Sequence, residues 1–275
     1  MITWLVQSNL IDYRQVSQIC DAVRSAGANL AEAVVLPFLD DIDNPEVLNG
    51  LNGVVIPYGS TKLTKITMNR GWKGSFFDPE MFRVDAWNKV YPERLLNSDQ
   101  QLMTVAEAKT LLDIYDPEEM LFVRPRDDLK AFNGTVTAAK EIQNWMKSTE
   151  SGNFSFTDDT VICVSSPKKI LQETRWFIVG GKIVDGSQYM IHRQRLAQPV
   201  TDMKLYDAAQ ELADIWLPHE TCVMDLALTD DGLKVIEYNC LNSSGFYQHD
   251  IDKIVRAVTE YAKTIEEKEK WIERI

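Results

Sequence analysis

The chain has 275 residues, with 41 Asp and Glu against 29 Lys and Arg, and its formal charge of −12 argues against a general nucleic-acid binder. Hydrophobic residues make up 45% and charged residues 25%, the mix of a globular protein rather than a disordered or fibrous one, and this length accommodates one large domain or two smaller ones. No apolar run approaches the roughly 20 residues of a membrane helix, and Met1-Ile2-Thr3-Trp4 lacks the basic flank and apolar core of a signal peptide, so a cytoplasmic protein without a membrane partner is expected.

Four cysteines, Cys20, Cys163, Cys222 and Cys240, show no CxxC spacing and read as buried free thiols rather than a disulfide framework or zinc site. The three histidines, His192, His219 and His249, have no metal-ligand spacing, which leaves carboxylates, amides, Arg and Lys to carry any catalysis.

In chain order, an apolar strand is expected over residues 2–6, followed by a helix with Val16, Ile19 and Val23 on one face and Gly27 as its C-terminal cap. Short β-branched strands follow at 33–36 and 53–56, and strands separated by a helix predict a partly parallel sheet. The aromatic and charged stretch 72–91 has no clear period. Thr104-Val105-Ala106-Glu107 has the form of a capping box ahead of a second unit, which puts a domain boundary at 98/99. Beyond it the pattern predicts a strand at 120–123, a polar loop with Gly134, a helix bearing Ile142, Trp145 and Met146, and a strand at 160–164. A hairpin at 173–179 and 182–189 turns on Gly180-Gly181, which tolerates the positive φ of a primed turn. A helix over 203–216, a second hairpin at 222–228 and 233–239, and a final helix from about residue 250 complete the expectation. Trp145 and Trp216 fall at helical core positions and read as packing rather than base-stacking platforms.

The second hairpin has polar residues where a core is expected. With a three-residue loop Asp230-Asp231-Gly232, Asp225 faces Glu237 with Cβ atoms about 5 Å apart, and Asn239, two residues on, points to the same side. Opposed carboxylates destabilise a sheet unless something neutralises them, and a hard divalent cation with oxygen ligands would do so. The competing reading is an exposed hairpin whose acidic residues face water.

Asp225, then Glu237-Tyr238-Asn239, then Cys240-Leu241-Asn242-Ser243-Ser244-Gly245, resembles the metal-binding end of ATP-grasp enzymes, in which an acidic residue on one strand and Glu-x-Asn on the next hold magnesium against ATP phosphates. Phe122-Val123-Arg124-Pro125 occupies the place of the strand that ends in a phosphate-binding Lys. Arginine in that position is similar to a divergent ATP-grasp clade that has Arg in place of the first phosphate-binding Lys and includes a eukaryotic translation-initiation assembly regulator, and Lys130 and Glu173-Thr174-Arg175 match its further pattern. The resemblance covers about residues 104–258. It implies an ATP-grasp fold, α/β and α+β, with an N-terminal Rossmann-like pre-grasp domain at 1–98 and two lobes clamping the nucleotide at 99–275.

By the same resemblance, Asp225, Glu237 and Asn239 hold magnesium. Arg124, Lys130, Ser165, Ser166 and Glu173 bind ATP, with the Ser165-Ser166 linker in the place of the adenine-reading hinge. Arg175 and Arg193 act on transferred phosphate or substrate. Arg124 can fork two hydrogen bonds to phosphate and Lys130 offers a compact charge, although the loop taken alone reads better as a surface segment, since Asp127 and Asp128 lie between them. Arg193 reads equally as part of a surface basic cluster with Arg195, and Asn242, Ser243 and Ser244 either contact an acceptor or form a turn. The expected activity is an ATP- and magnesium-dependent ligase that forms an acyl-phosphate from a carboxylate and joins it to an amine or similar nucleophile, with peptide and protein among the acceptors. A non-catalytic ATP-binding assembly module and an ATP-dependent phosphotransferase are the alternatives. No motif encodes the acceptor or the oligomeric state.

Overall fold

The computed structural model describes the chain except residues 38, 40, 129–131, 149–155, 193 and 273–275, and of residues 269–272 it describes the helical backbone alone. Strand β1 (Ile2–Gln7) is wholly buried, and helix α1 (Tyr13–Ser25) follows, its N-terminus capped by Asp12, whose side chain accepts from Arg14 N and Gln15 N. Val16, Ile19 and Val23 are buried as the periodicity requires, and Gly27 ends the segment at φ +70°.

Next come β2 (Asn29–Ala33), α2 (Glu46–Asn49), β3 (Val54–Tyr58) and α3 (Thr61–Thr67), with the strands in the all-parallel order β2-β1-β3. The second strand thus lies earlier than residues 33–36. Val35 forms only an isolated bridge to Ile42, because Asn9 takes its backbone on both sides: Asn9 Nδ2 donates to Val35 O at 2.8 Å and Val35 N donates to Asn9 Oδ1 at 3.1 Å.

Helix α4 (Val84–Trp87), β4 (Gln101–Thr104), α5 (Val105–Ala108), β5 (Met120–Pro125), β6 (Thr135–Ala138), α6 (Ala139–Lys147) and β7 (Val161–Ser165) follow, with an antiparallel sheet in the order β4-β7-β5-β6. The capping box at Thr104 and Glu107 is present, although the helix it opens has four residues and Thr104 itself ends β4. The stretch 72–91, which shows no period, consists of turns and irregular backbone around the one-turn helix α4, and it buries Phe76, Phe82, Trp87 and Tyr91.

The remaining elements are β8 (Gln172–Val179), β9 (Lys182–Ile191), β10 (Gln194–Pro199), α7 (Met203–Ile215), β11 (Cys222–Thr229), β12 (Gly232–Asn239) and α8 (Ile251–Ile272), with sheet order β10-β9-β8-β11-β12. Gly180 and Gly181 sit at φ +57° and +76°, as the primed turn demands, and Gly232, the first residue of β12, takes φ +94° where the second hairpin turns. Among the described helices none is long and apolar enough to cross a membrane. The four cysteines are free and buried, and burial pushes the Cys163 thiol up to about 12.

Contacts divide the chain into one unit of residues 1–78, 172–226 and 237–275, and a second of residues 79–171 and 227–236. Within the first unit the reason is the C-terminal helix. Helix α8 packs on α1, and Trp4 Nε1 donates to Thr259 Oγ1 at 3.0 Å, so Trp4, Ile19, Phe177, Val223, Ile254 and Val258 share one core. The second unit has its own core, which includes Val105, Leu111, Leu121, Val123, Ile142, Met146 and Ile162.

Candidate functional site

In the first unit, sheet order places β8 beside β11 and β12 beyond it, which aligns Glu173 and Arg175 with Asp225 and the pair Glu237 and Asn239. Arg175 Nε donates to Asp225 Oδ1 at 2.8 Å and Nη2 donates to Oδ2 at 2.7 Å, a two-pronged pair between side chains that are both nearly fully buried. Burial works against the guanidinium charge, but the adjoining Asp225 carboxylate more than offsets it and holds the Arg175 pKa above its ordinary value. Asn239 Nδ2 donates to Asp225 Oδ2 at 3.2 Å, so these two expected metal ligands share one sheet face.

Glu237 is partly exposed on the same strand as Asn239, two residues before it. Its charge reaches Glu173, whose carboxyl is raised above the usual range by burial and then by Asp225 and Glu237, against a hydrogen bond from Tyr189 that lowers it. The Tyr189 hydroxyl donates to Glu173 Oε2 at 2.8 Å. It reaches that carboxylate because the β8–β9 register slips between Glu173 and Thr174, leaving Tyr189 as the extra residue of a bulge.

The guanidinium of Arg175 is held on further sides. Nη1 donates to Gly245 O at 3.3 Å, and the Tyr247 ring centre lies 4.9 Å from Cζ. Tyr247 adopts φ +43°, a conformation L residues other than Asn and Asp seldom take, and its ring stacks on Tyr189 at 4.9 Å. Tyr189 and Tyr247 are the site residues that sequence reasoning missed. A bulge and a positive φ leave no mark in side-chain periodicity.

The loop after β12 is built as structure. Asn242 is wholly buried, its Nδ2 donating to Pro57 O at 2.6 Å and Gly74 O at 3.0 Å while its Oδ1 accepts from Phe76 N at 2.8 Å. Tyr58 Oη donates to Ser244 O, and Ser244 Oγ donates to Cys240 O. Of the two readings of Asn242 and Ser244, the turn is the one the contacts support.

In the second unit, Arg124 is buried on β5 one residue before its end, with Nη1 donating to Ile236 O and Nε to Pro125 O, each at 3.4 Å. Arg126 pairs with Asp127 at 2.9 Å. Ser165 is 4% exposed, and its hydroxyl has no hydrogen-bond partner among the described residues. Ser166 is committed to Asp99, which receives both its backbone N–H and its hydroxyl, while Lys168 pairs with the same carboxylate at 2.7 Å. Lys130 and Arg193 lie outside the described residues.

The donor set suits a hard cation. Two carboxylates and an amide oxygen are the ligand types magnesium takes, whereas among the described residues no group of three or more His, Cys, Asp and Glu is arranged for a metal. Asp225 and Asn239 touch, and Glu237 lies two residues before Asn239 on the same strand, so the donor types present fit a magnesium ion.

The mixed α/β scaffold is that of an ATP-grasp protein. The sequence model of the ATP-grasp domain, R-2-K clade family 3, matches residues 61–258, and the chain belongs to that family. Solved structures share the fold. A D-alanine–D-alanine ligase from Bacillus anthracis complexed with ATP is 11% identical with a TM-score of 0.59, covering 97% of this chain and 98% of its own. The D-cycloserine synthetase DcsG is 12% identical with a TM-score of 0.60, covering 98% and 99%. The ATP-grasp ligase PsnB complexed with a minimal precursor is 10% identical with a TM-score of 0.55, covering 94% and 98%. A search of curated proteins finds no match.

Proposed function

We propose that the protein is an ATP- and magnesium-dependent ligase that activates a carboxylate as an acyl-phosphate and joins it to an amine or similar nucleophile, on a peptide or protein among the acceptors. A carboxylate oxygen forms a bond to the γ-phosphorus as the bond to the β-bridging oxygen breaks and ADP leaves. The nucleophile then attacks the acyl carbon, phosphate departs, and the nucleophile's proton passes to solvent or phosphate. The observation that carries the reading is the contact of Asn239 with Asp225 beside Arg175, an oxygen donor set and a cation gathered on one sheet face.

Asp225, Glu237 and Asn239 would hold the magnesium, which when bound neutralises phosphate charge. Arg124 offers a fork of donors to phosphate oxygens, and Arg175 a second guanidinium where charge builds during transfer. Glu173 anchors Tyr189, which stacks on the Tyr247 ring that lies over Arg175. Lys130 and Arg193 are assigned to phosphate and substrate by the family pattern, and Ser165 with Ser166 to the nucleotide.

The D-alanine–D-alanine ligase, complexed with ATP, and PsnB, complexed with a precursor, are both ligases, which supports the reaction class proposed here. The test is incubation of the full chain with ATP, magnesium and fractionated cell extract, followed by mass analysis. ADP and phosphate formed in step with a condensation product support ligation. A phosphorylated acceptor supports a phosphotransferase instead, and tight ATP binding without turnover supports an assembly module.

A further inference from the structure

On the carboxylate of Asp225, each oxygen has two in-plane lone pairs. Oδ2 accepts from Arg175 Nη2 at 2.7 Å and from Asn239 Nδ2 at 3.2 Å, and Oδ1 accepts from Arg175 Nε at 2.8 Å. The first expected ligand of the metal is therefore already neutralised by a guanidinium, in a setting where both side chains are about nine-tenths buried or more. The guanidinium is fixed as well by Gly245 O and the Tyr247 ring.

A divalent ion arriving alone would put three positive charges on one desolvated carboxylate, with Glu237 as the second anion. A polyphosphate changes that balance, because it brings several negative charges and offers the guanidinium oxygens of the same bidentate geometry as a carboxylate. We propose that Arg175 is the resident counter-cation of Asp225 and keeps free divalent ions off the site, so that the metal enters only together with the nucleotide. The inference rests on the ATP-grasp reading of the site and specifies how that site is loaded. It also gives Arg175 two partners in sequence: Asp225 before the nucleotide binds and phosphate afterwards.

The probe is manganese, a paramagnetic stand-in for magnesium, titrated into the full chain and followed by electron paramagnetic resonance with no nucleotide present. The wild type should bind manganese weakly. Arg175→Gln should bind it about tenfold tighter or more, Arg175→Lys, which keeps the charge, should stay weak, and adding Asp225→Asn to Arg175→Gln should remove the gained affinity. Equal manganese affinity in the wild type and Arg175→Gln overturns the proposal.

Arg175→Gln leaves a buried carboxylate without its partner and is at risk of misfolding, so a second comparison uses the wild type alone. Its manganese affinity should rise about tenfold or more when a non-hydrolysable ATP analogue is added, and an affinity that is already tight without the analogue overturns the proposal as surely. If the wild type takes up neither analogue nor manganese when both are supplied, the ATP-grasp function itself fails. If it takes up both together but Arg175→Gln binds manganese alone no better than the wild type does, only the role of Arg175 fails.

Discussion

Asn239, at the end of β12, donates its amide to the Asp225 carboxylate of β11 across 3.2 Å, which fixes the two strands' polar residues on one face. An asparagine that spends its Nδ2 on Asp225 has its carbonyl oxygen as its acceptor end, the end a hard cation takes. Glu237, two residues earlier on the same strand, supplies the second carboxylate. Glu237→Gln keeps the shape and removes the charge. Magnesium-dependent ATP affinity, measured by calorimetry, should fall about tenfold or more while the thermal midpoint without ligand stays the same or rises, since one of the like charges acting on Glu173 is gone. Unchanged affinity across a magnesium titration would remove Glu237 from the site.

Arg124 and Arg126 lie two residues apart, and their surroundings separate them. Arg124 is 5% exposed on β5, one residue before its end, and Arg126, just beyond the strand, pairs with Asp127 at 2.9 Å. Arg124→Ala should weaken ATP binding about tenfold or more, and Arg126→Ala by about twofold or less, because Arg124 stands where the family pattern puts the phosphate-binding cation and can fork two hydrogen bonds to phosphate oxygens, whereas Arg126 lies beyond the strand. Fluorescent-nucleotide titration of the two variants side by side checks the order, and equal losses would mean that the strand end does not define the phosphate contact.

The hairpin carrying Asp225 and Asn239 was legible because alternation in a strand is a local rule, and Gly180-Gly181 and Gly232 mark turns by the backbone freedom those turns require. The buried stripe of α1 followed from helical spacing for the same reason. The pairing of Arg175 with Asp225 joins residues 50 positions apart, and nothing in either segment declares its partner. That pair also alters the charge argument: the acidic hairpin required a cation opposite it, and the chain supplies one itself. The strand expected at 33–36 was displaced by a side chain, Asn9, competing for backbone groups from 26 residues away. The stretch 72–91 had no period because its buried aromatics are divided among irregular backbone, a turn and the four-residue helix α4 rather than lying on one regular element.

Asn242 shows what the loop after the Glu-x-Asn strand requires of its own sequence. Its amide is the partner of three backbone groups, Phe76 N, Pro57 O and Gly74 O, in fully buried surroundings. Asn242→Ala strands all three at about 1–3 kcal/mol each, so urea unfolding should show a loss of about 3 kcal/mol or more. Asn242→Asp keeps the acceptor for Phe76 N but turns the donor edge into a second acceptor facing two carbonyls, and should be at least as damaging. A loss under about 1 kcal/mol in the alanine variant would mean that water or a shifted loop satisfies these groups instead.

His219 sets a pH dependence whose sign can be worked out. Its Nδ1 accepts from Thr221 N at 2.9 Å, which requires the neutral ring with its hydrogen on Nε2. Burial lowers its pKa below the ordinary 6.5, by more than the charges of Glu220 and Asp78 raise it. The unfolded chain therefore binds a proton that the folded chain resists, so this contribution to stability is present above pH 6.5 and is lost as pH falls below it. His249, lowered chiefly by burial, adds a change of the same sign. The urea midpoint should drop between about pH 7 and pH 5, and the drop should be smaller in His219→Asn, whose side-chain oxygen keeps an acceptor for Thr221 N without taking up a proton. An identical pH slope in wild type and variant would show that protonation of His219 does not oppose folding.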